Sequence, residues 1–228
     1  ILTNNHVIEE GSSFSVLLSS GDKADATLVG ADSSTDLAVL KVNDEELAKT
    51  LVPVDLGSSA QLVVGETAIA IGNPGGEVLA NTVTSGIVSA LEREVDGDNT
   101  TRDIKYIQHD APINSGNSGG GLFDASGRLI GINTLKYAGS QFSSVSFEGL
   151  GFAIPIDTAY PIAQALIKDG KVIRPQMGIT VTDFTGPDDP MNNYPPASVV
   201  VYSVTKDSPA EKAGMMQYDF ITEIDGVR

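Results

Sequence analysis

The densest chemical signal in the sequence is Gly116-Asn117-Ser118-Gly119-Gly120. A serine works as a nucleophile when a tight turn exposes its hydroxyl and nearby backbone N–H groups face the oxyanion that forms. Glycine on both sides permits that turn and lets a substrate approach without a side chain in the way. The same composition also suits an ordinary loop, so the serine needs companions. His6 sits in the stretch Leu2-Thr3-Asn4-Asn5-His6-Val7-Ile8 and is read at the end of an apolar strand. Asp36 stands at the mouth of the apolar run Leu37-Ala38-Val39-Leu40. A histidine can take the serine proton, and a carboxylate can orient the ring and stabilise the imidazolium. Taken singly, His6 reads as a structural or exposed residue and Asp36 as a solvated cap.

Their order along the chain is more informative. Histidine, aspartate and serine follow one another at separations of 30 and then 82 residues. That is the order of chymotrypsin-type enzymes, whereas subtilisins and α/β-hydrolases use other orders.

The elements that would carry these residues are mostly strands. Short runs rich in Val and Ile are predicted as strands at Ser15–Leu18, Ala26–Asp32, Leu37–Val42, Thr67–Gly72, Asn81–Ala90, Ile104–Gln108, Gly121–Phe123, Leu129–Thr134 and Gly151–Pro155. Turn signals at Ser20-Gly21-Asp22, Asn73-Pro74-Gly75-Gly76 and Ala125-Ser126-Gly127 separate them. Such spacing predicts a barrel or sandwich. One helix is expected over Asp157–Asp169, where Tyr160, Ile162, Ala163, Leu166 and Ile167 recur at helical spacing, with Asp157 as N-cap and Gly170 as stop. A linker near Lys171–Pro175 sets a domain boundary at about residue 172, dividing the chain into 1–172 and 173–228. Beyond it lie the proline-rich loop Pro187–Pro196, a strand at Ser198–Val204, and a short helix capped by Ser208 with Pro209 in its first turn.

Composition narrows the function classes. The net charge is −16, from 30 acidic and 14 basic residues, which argues against nucleic acid or an anionic membrane as partner. There is no cysteine, which excludes disulfides, thiolate nucleophiles and cysteine zinc sites. Asp188 and Asp189 lack metal-ligand spacing and are read as solvated. No metal or cofactor is implied. The chain has no run of apolar residues long enough to span a bilayer.

Several segments together resemble the HtrA (DegP/DegS-like) serine protease family: Thr3-Asn4-Asn5-His6-Val7-Ile8, Asp36-Leu37-Ala38-Val39-Leu40-Lys41, Gly72-Asn73-Pro74, Asp110 through Gly121, Ile130-Gly131-Ile132-Asn133-Thr134 and Gly151-Phe152-Ala153-Ile154-Pro155. The resemblance covers nearly the whole chain. It implies an all-β fold of the chymotrypsin/trypsin type, a double six-stranded β-barrel whose N-terminal strands precede this sequence, followed by the start of a PDZ domain. It implies that His6 is the general base, that Asp36 orients it, and that Ser118 attacks the scissile carbonyl. Gly116, Asn117 and Ser118 would form the oxyanion hole. Pro112, six residues before the serine, would lie at the base of the specificity pocket, lined further by Ile113, Gly151, Phe152 and Ile154. With no carboxylate there, the expected preference is for small or medium aliphatic side chains such as Val, Ala or Ile. His109, where the family usually has a small polar residue, is expected to be a loop or pocket-rim residue, the alternative being that it modulates activity with pH, and Gly121 stands where the family often has Pro or Ala.

The second segment is similar to a PDZ domain, with Gly178-Ile179-Thr180-Val181 as its first strand after a carboxylate-binding loop at Arg174–Gly178. The resemblance implies an extracytoplasmic quality-control and stress-response endopeptidase, in the periplasm or at the cell surface, membrane-anchored or secreted when full length. Its substrates would be unfolded proteins or peptides, its complete PDZ domain would bind C-terminal peptides, and the full-length protein would form a homotrimer. The alternative is a latent protease acting mainly as a peptide-binding or chaperone-like module, with the loops around Ser118 and Phe142–Gly149 resting misaligned.

Overall fold

Among the described residues, alternating Val, Ile, Ala and Leu separated by Gly, Asn and Asp turns build antiparallel sheets. The computed structural model describes residues 1–94, 104–134, 149–184 and 198–226. They fall into two units, Ile1–Val172 and Ile173–Arg228.

The first unit opens with β1 (Leu2–Thr3), α1 (Asn5–Ile8), β2 (Phe14–Leu17), β3 (Lys23–Asp32) and β4 (Leu37–Val42). These strands form a four-stranded antiparallel sheet in the order β1-β4-β3-β2. His6, expected on a strand, lies in α1, because the chain turns at Asn4 directly after β1. β4 is covered on both faces. Ala38 and Leu40 pack with Ile8 and Ala26, whereas Val39 packs with Ala163 and Leu166. A short helix, α2 (Glu45–Thr50), follows, with the Asp44 side chain accepting from the N–H groups of Glu46 and Leu47.

Six further strands, β5 (Thr67–Gly72), β6 (Thr82–Arg93), β7 (Tyr106–His109), β8 (Gly121–Phe123), β9 (Leu129–Thr134) and β10 (Gly151–Pro155), close into a barrel. The order is β10-β7-β6-β5-β8-β9. Each strand sends side chains inward: Ala68 and Ala70, Val88, Ile107, Leu122, Ile130 and Ala153 fill the interior. A barrel this small is packed solid by its own side chains. On its outside a second cluster joins Tyr106, Leu129, Ile132 and Ile154 to Leu37 of the first sheet and to Ile156 and Ala159.

The last two residues belong to α3 (Ile156–Asp169), which begins one residue earlier than expected and has Pro155, not Asp157, at its N-cap. The Asp157 carboxylate is used elsewhere. It accepts from the Ala60 N–H at 2.9 Å and the Ser58 hydroxyl at 3.1 Å, while Ser59 Oγ accepts from the Asp157 N–H at 3.2 Å. These bonds hold its pKa below the usual carboxylate range, the Ala60 N–H contributing most. The helix start is thus capped from the 3-10 turn Ser59–Gln61. Its far end stops at Gly170, with φ of 69°.

In the second unit β11 (Ile179–Phe184), β12 (Ser198–Val204) and β13 (Phe220–Ile221) form a three-stranded antiparallel sheet in that order. Phe184 and Phe220 meet edge to face with ring centroids 5.1 Å apart. α4 (Pro209–Lys212) is capped by Ser208, whose hydroxyl accepts from the Glu211 N–H. The expected proline-rich loop, with Asp188 and Asp189, lies outside the described residues.

Gly30 on β3 marks where the end of α3 crosses the sheet. A Cβ there would sit 2.5 Å from the Gly170 carbonyl oxygen. Backbone cannot yield as a side-chain tip does. Gly30→Ala is therefore expected to lower the unfolding free energy by about 2 kcal/mol, read from urea denaturation; an unchanged midpoint would contradict the close approach.

Candidate active site

The site begins at the hairpin between β3 and β4. Asp32 pairs with Leu37, which leaves residues 33–36 as the loop. Asp36 ends that loop at φ of 56°, in the left-handed region that Asp tolerates better than most residues. It is buried, at 1% exposure. Its carbonyl oxygen accepts from the Asn5 N–H at 3.0 Å and the Asn4 side-chain amide at 2.9 Å. Its carboxylate takes hold of His6 twice: Oδ1 accepts from the His6 backbone N–H at 2.9 Å, and Oδ2 lies 2.7 Å from Nδ1. The Thr134 hydroxyl donates to Oδ2 from β9 at 3.3 Å. Placing a carboxylate against Nδ1 keeps the proton there and leaves a lone pair on Nε2. The His6 side chain is 24% exposed, so an accessible imidazole stands on a buried carboxylate.

The barrel brings up the other half. The Asn117 N–H donates to the Asn114 carbonyl and the Gly120 N–H to the Asn117 carbonyl, both at 3.0 Å, which winds two tight turns around Ser118. Bonds from the Gly119 N–H to the Asn133 carbonyl (2.9 Å) and from the Asn133 N–H to the Gly120 carbonyl (2.8 Å) fasten the turns to β9. On the other side the Asn73–Gly76 turn grips the preceding peptides. The Asn73 N–H donates to the Gly116 carbonyl at 3.0 Å, and the Gly75 N–H to the Ser115 carbonyl at 3.3 Å. Carbonyl and N–H of one trans peptide point opposite ways, so the Gly116 N–H faces away from Gly75. Gly116 itself has φ of 101°, and a Cβ there would stand 2.1 Å from the Asn73 carbonyl oxygen. No other residue fits. His6, Ser115, Gly116 and Ser118 line one open cleft of about 710 Å³.

The expected pocket residues divide by strand alternation. Pro112 is exposed, and its carbonyl accepts from the Thr84 hydroxyl at 2.9 Å. Ile113 packs partly against the barrel interior. On β10, Gly151 and Ala153 face inward, whereas Phe152 and Ile154 face the outer cluster. Phe152 meets Tyr106 edge to face at 6.4 Å, and Ile154 is fully buried. The period of two therefore removes Phe152 and Ile154 from the pocket lining assigned to them. Of the expected loop Phe142–Gly149, all but Gly149 lies outside the described residues.

His109 is not at a rim. It is fully buried on β7, with its ring so close beneath Gly151 that a Cβ there would come within 2.3 Å of Cε1. Burial lowers its pKa to about 4; the Asn133 side chain, the Asp110 charge and the Ala111 backbone pull the other way and lose. Asn4, Asn133 and Thr134 are not legible individually from sequence, since each acts through a partner distant along the chain.

The buried imidazole makes stability depend on pH. Between about pH 6.5 and 4 the unfolded chain takes up a proton that the folded one refuses. The contribution of His109 to stability is thus full above this window, falls as pH drops through it, and levels off below. The loss should reach about 3 kcal/mol, and His109→Gln should flatten it; parallel thermal-unfolding profiles for the two proteins across that range would contradict the assignment.

Comparison with known proteins agrees with this geometry. Residues 1–132 match the family model of the trypsin-like peptidase domain, and residues 175–228 that of the PDZ domain. "Serine protease Do-like HtrB" of Bacillus subtilis (strain 168) is 42% identical over 99% of this chain and 50% of that protein. "Probable periplasmic serine endoprotease DegP-like" of Rickettsia conorii is 41% identical over 98% of this chain and 42% of that protein. The chain thus spans about half the length of its curated relatives. The solved structure "HtrA-type protease AlgW with decapeptide" superposes with a TM-score of 0.82 at 41% identity, over 99% of this chain and 66% of that one. The structure "HtrA-type protease AlgW with tripeptide" is 40% identical over 99% of this chain and 71% of that one, with a TM-score of 0.77. With that likeness, and with the trypsin-like peptidase match covering more than half of its length, the chain belongs to the HtrA (DegP/DegS-like) family of trypsin-like serine proteases.

Proposed function

We propose that this chain is the protease part of a serine endopeptidase that cleaves unfolded or misfolded proteins through an acyl-enzyme. The observation that carries the reading is the double hold of Asp36 on His6 at the edge of the cleft that also contains Ser118 and Gly116. Ser118 Oγ attacks the scissile carbonyl while His6 Nε2 takes its proton. Asp36 keeps the Nδ1 tautomer and stabilises the imidazolium. The tetrahedral oxyanion is held by the N–H groups of Gly116 and Ser118, with Asn117 shaping the turn between them. His6 then returns the proton to the leaving amine, and water repeats the sequence to release the acid. Preference for small or medium aliphatic side chains is supported by Pro112, six residues before Ser118, where no carboxylate stands to hold a basic side chain.

In this reading the full-length protein works outside the cytoplasm, anchored or secreted, as a homotrimer. Family membership supports both, and the name of the R. conorii relative, a probable periplasmic endoprotease, supports the compartment. One observation favours a second activity, peptide binding. The second unit has an apolar cleft of about 580 Å³ lined by Met177, Gly178, Ile179, Val181, Val199 and Ile221, suited to a C-terminal peptide added beside β11. A protein resting in a latent state would then act mainly through this cleft.

Hydrolysis of an unfolded casein-type substrate tests the proposal. Ser118→Ala should abolish turnover without moving the unfolding midpoint. Asp36→Asn should lower kcat about 10⁴-fold, and Gly116→Ala about 10²- to 10³-fold by disturbing one oxyanion donor. Turnover that survives Ser118→Ala would overturn the assignment; peptide binding without turnover would favour the second activity.

A further inference from the structure

The left-handed Asp36 raises a question of support. Its backbone conformation costs energy, its side chain is a buried carboxylate, and His6 depends on its position to a fraction of an ångström. Asn4, Asn5, His6 and Thr134 hold Asp36 from outside the hairpin, and the hairpin adds a contact of its own. Asp32, the last residue of β3, is also a buried carboxylate, at 8% exposure. Its Oδ2 accepts from the Thr35 N–H at 3.0 Å and from the Thr35 hydroxyl. Thr35 is itself buried, at 7% exposure.

We propose that Asp32, acting through Thr35, is a positioning residue for the His6–Asp36 pair. The inference rests on the reading of that pair as base and orienting acid. Two bonds from one carboxylate oxygen fix both the backbone and the side chain of the residue that precedes Asp36. With the Thr35 N–H and hydroxyl both held by Asp32, the Ser34–Thr35 peptide and the Thr35 side chain are fixed, which restrains the chain where it enters the left-handed conformation of Asp36. Asp36 then reaches outward with its carbonyl to Asn4 and Asn5 and with its carboxylate to His6.

A plain hairpin does not require this. An exposed Asn or Asp at the loop start would close the turn, whereas a buried carboxylate must offset its desolvation through hydrogen bonds. Neither Asp32 nor Thr35 lines the cleft, so their effect on chemistry passes through the residues they hold in place.

The test uses the full chain with Asp32→Ala, Asp32→Asn and Thr35→Val, each checked for folding by urea denaturation. The first readout is the low-field proton resonance of His6 Nδ1–H, which reports the bond to Asp36 whether or not Ser118 attacks a substrate. The second is the split between kcat and KM on an unfolded substrate. Asp32→Ala should shift or broaden the resonance and lower kcat about a hundredfold at nearly constant KM. Asp32→Asn keeps an acceptor for both Thr35 donors and should restore most of the loss. Thr35→Val keeps shape and removes only the hydroxyl, so it tests the same bond even if Asp32→Ala does not fold, with an expected loss of about tenfold. Folded Asp32→Ala or Thr35→Val protein with the wild-type resonance and kcat would overturn the inference, as would an Asp32→Asn variant as impaired as Asp32→Ala. A wild-type protein that shows the resonance but no turnover would count against the proposed function and leave the resonance as the measure of Asp32.

Discussion

The bond between the Asp36 carboxylate and His6 is the constraint around which the first unit is arranged. It joins a hairpin to a one-turn helix 30 residues away in sequence. A buried carboxylate is tolerable only when its charge and lone pairs are met, and here they are met by the His6 N–H, the His6 ring and the Thr134 hydroxyl. Removing any of these partners would leave charge in a poorly solvated place. The αL conformation at Asp36, the turn at Asn4 and the covered faces of β4 all serve this one contact.

The second half of the site comes from a different sheet, and three features register the two. Thr134 reaches from β9 of the barrel to Asp36 of the hairpin. The outer cluster welds Leu37 to barrel residues Tyr106, Ile132 and Ile154. Helix α3 lies across both, with Ala163 and Leu166 against Val39 and with Ile156 and Ala159 against the barrel. The Ser118 turn is in turn clamped between β9 and the Asn73–Gly76 turn. Ser118 and His6 meet in one cleft because each is fixed to an element that packs on this common core. Their pairing is a property of the packing, not of any local motif.

That explains what could be seen in the sequence. The apolar runs at Leu37–Val42, Thr67–Gly72, Gly121–Phe123, Leu129–Thr134 and Gly151–Pro155 give strands with the expected ends, because period and turn residues act locally. The glycines around Ser118 and the order of His6, Asp36 and Ser118 were equally visible. Long-range features were not. Asp157 looked like a helix cap, and only the fold brings Ser58 and Ala60 to it. Phe152 and Ile154 looked like pocket residues until the register of β10 showed which face they take. His109 looked peripheral, since nothing nearby in sequence says that Gly151 leaves room for a ring in the barrel. The supporting bond from Asp32 to Thr35 spans three residues, yet its meaning depends on the backbone angle of Asp36.

The central claim is that Ser118, activated by His6, is the nucleophile. Intact-protein and peptide mass spectrometry after exposure to a serine-directed fluorophosphonate, with and without an unfolded substrate present, tests it most directly. One phosphonyl adduct per chain, mapped to Ser118 and lost in Ser118→Ala, is the predicted result. No adduct under either condition, or an adduct on another residue, would contradict it.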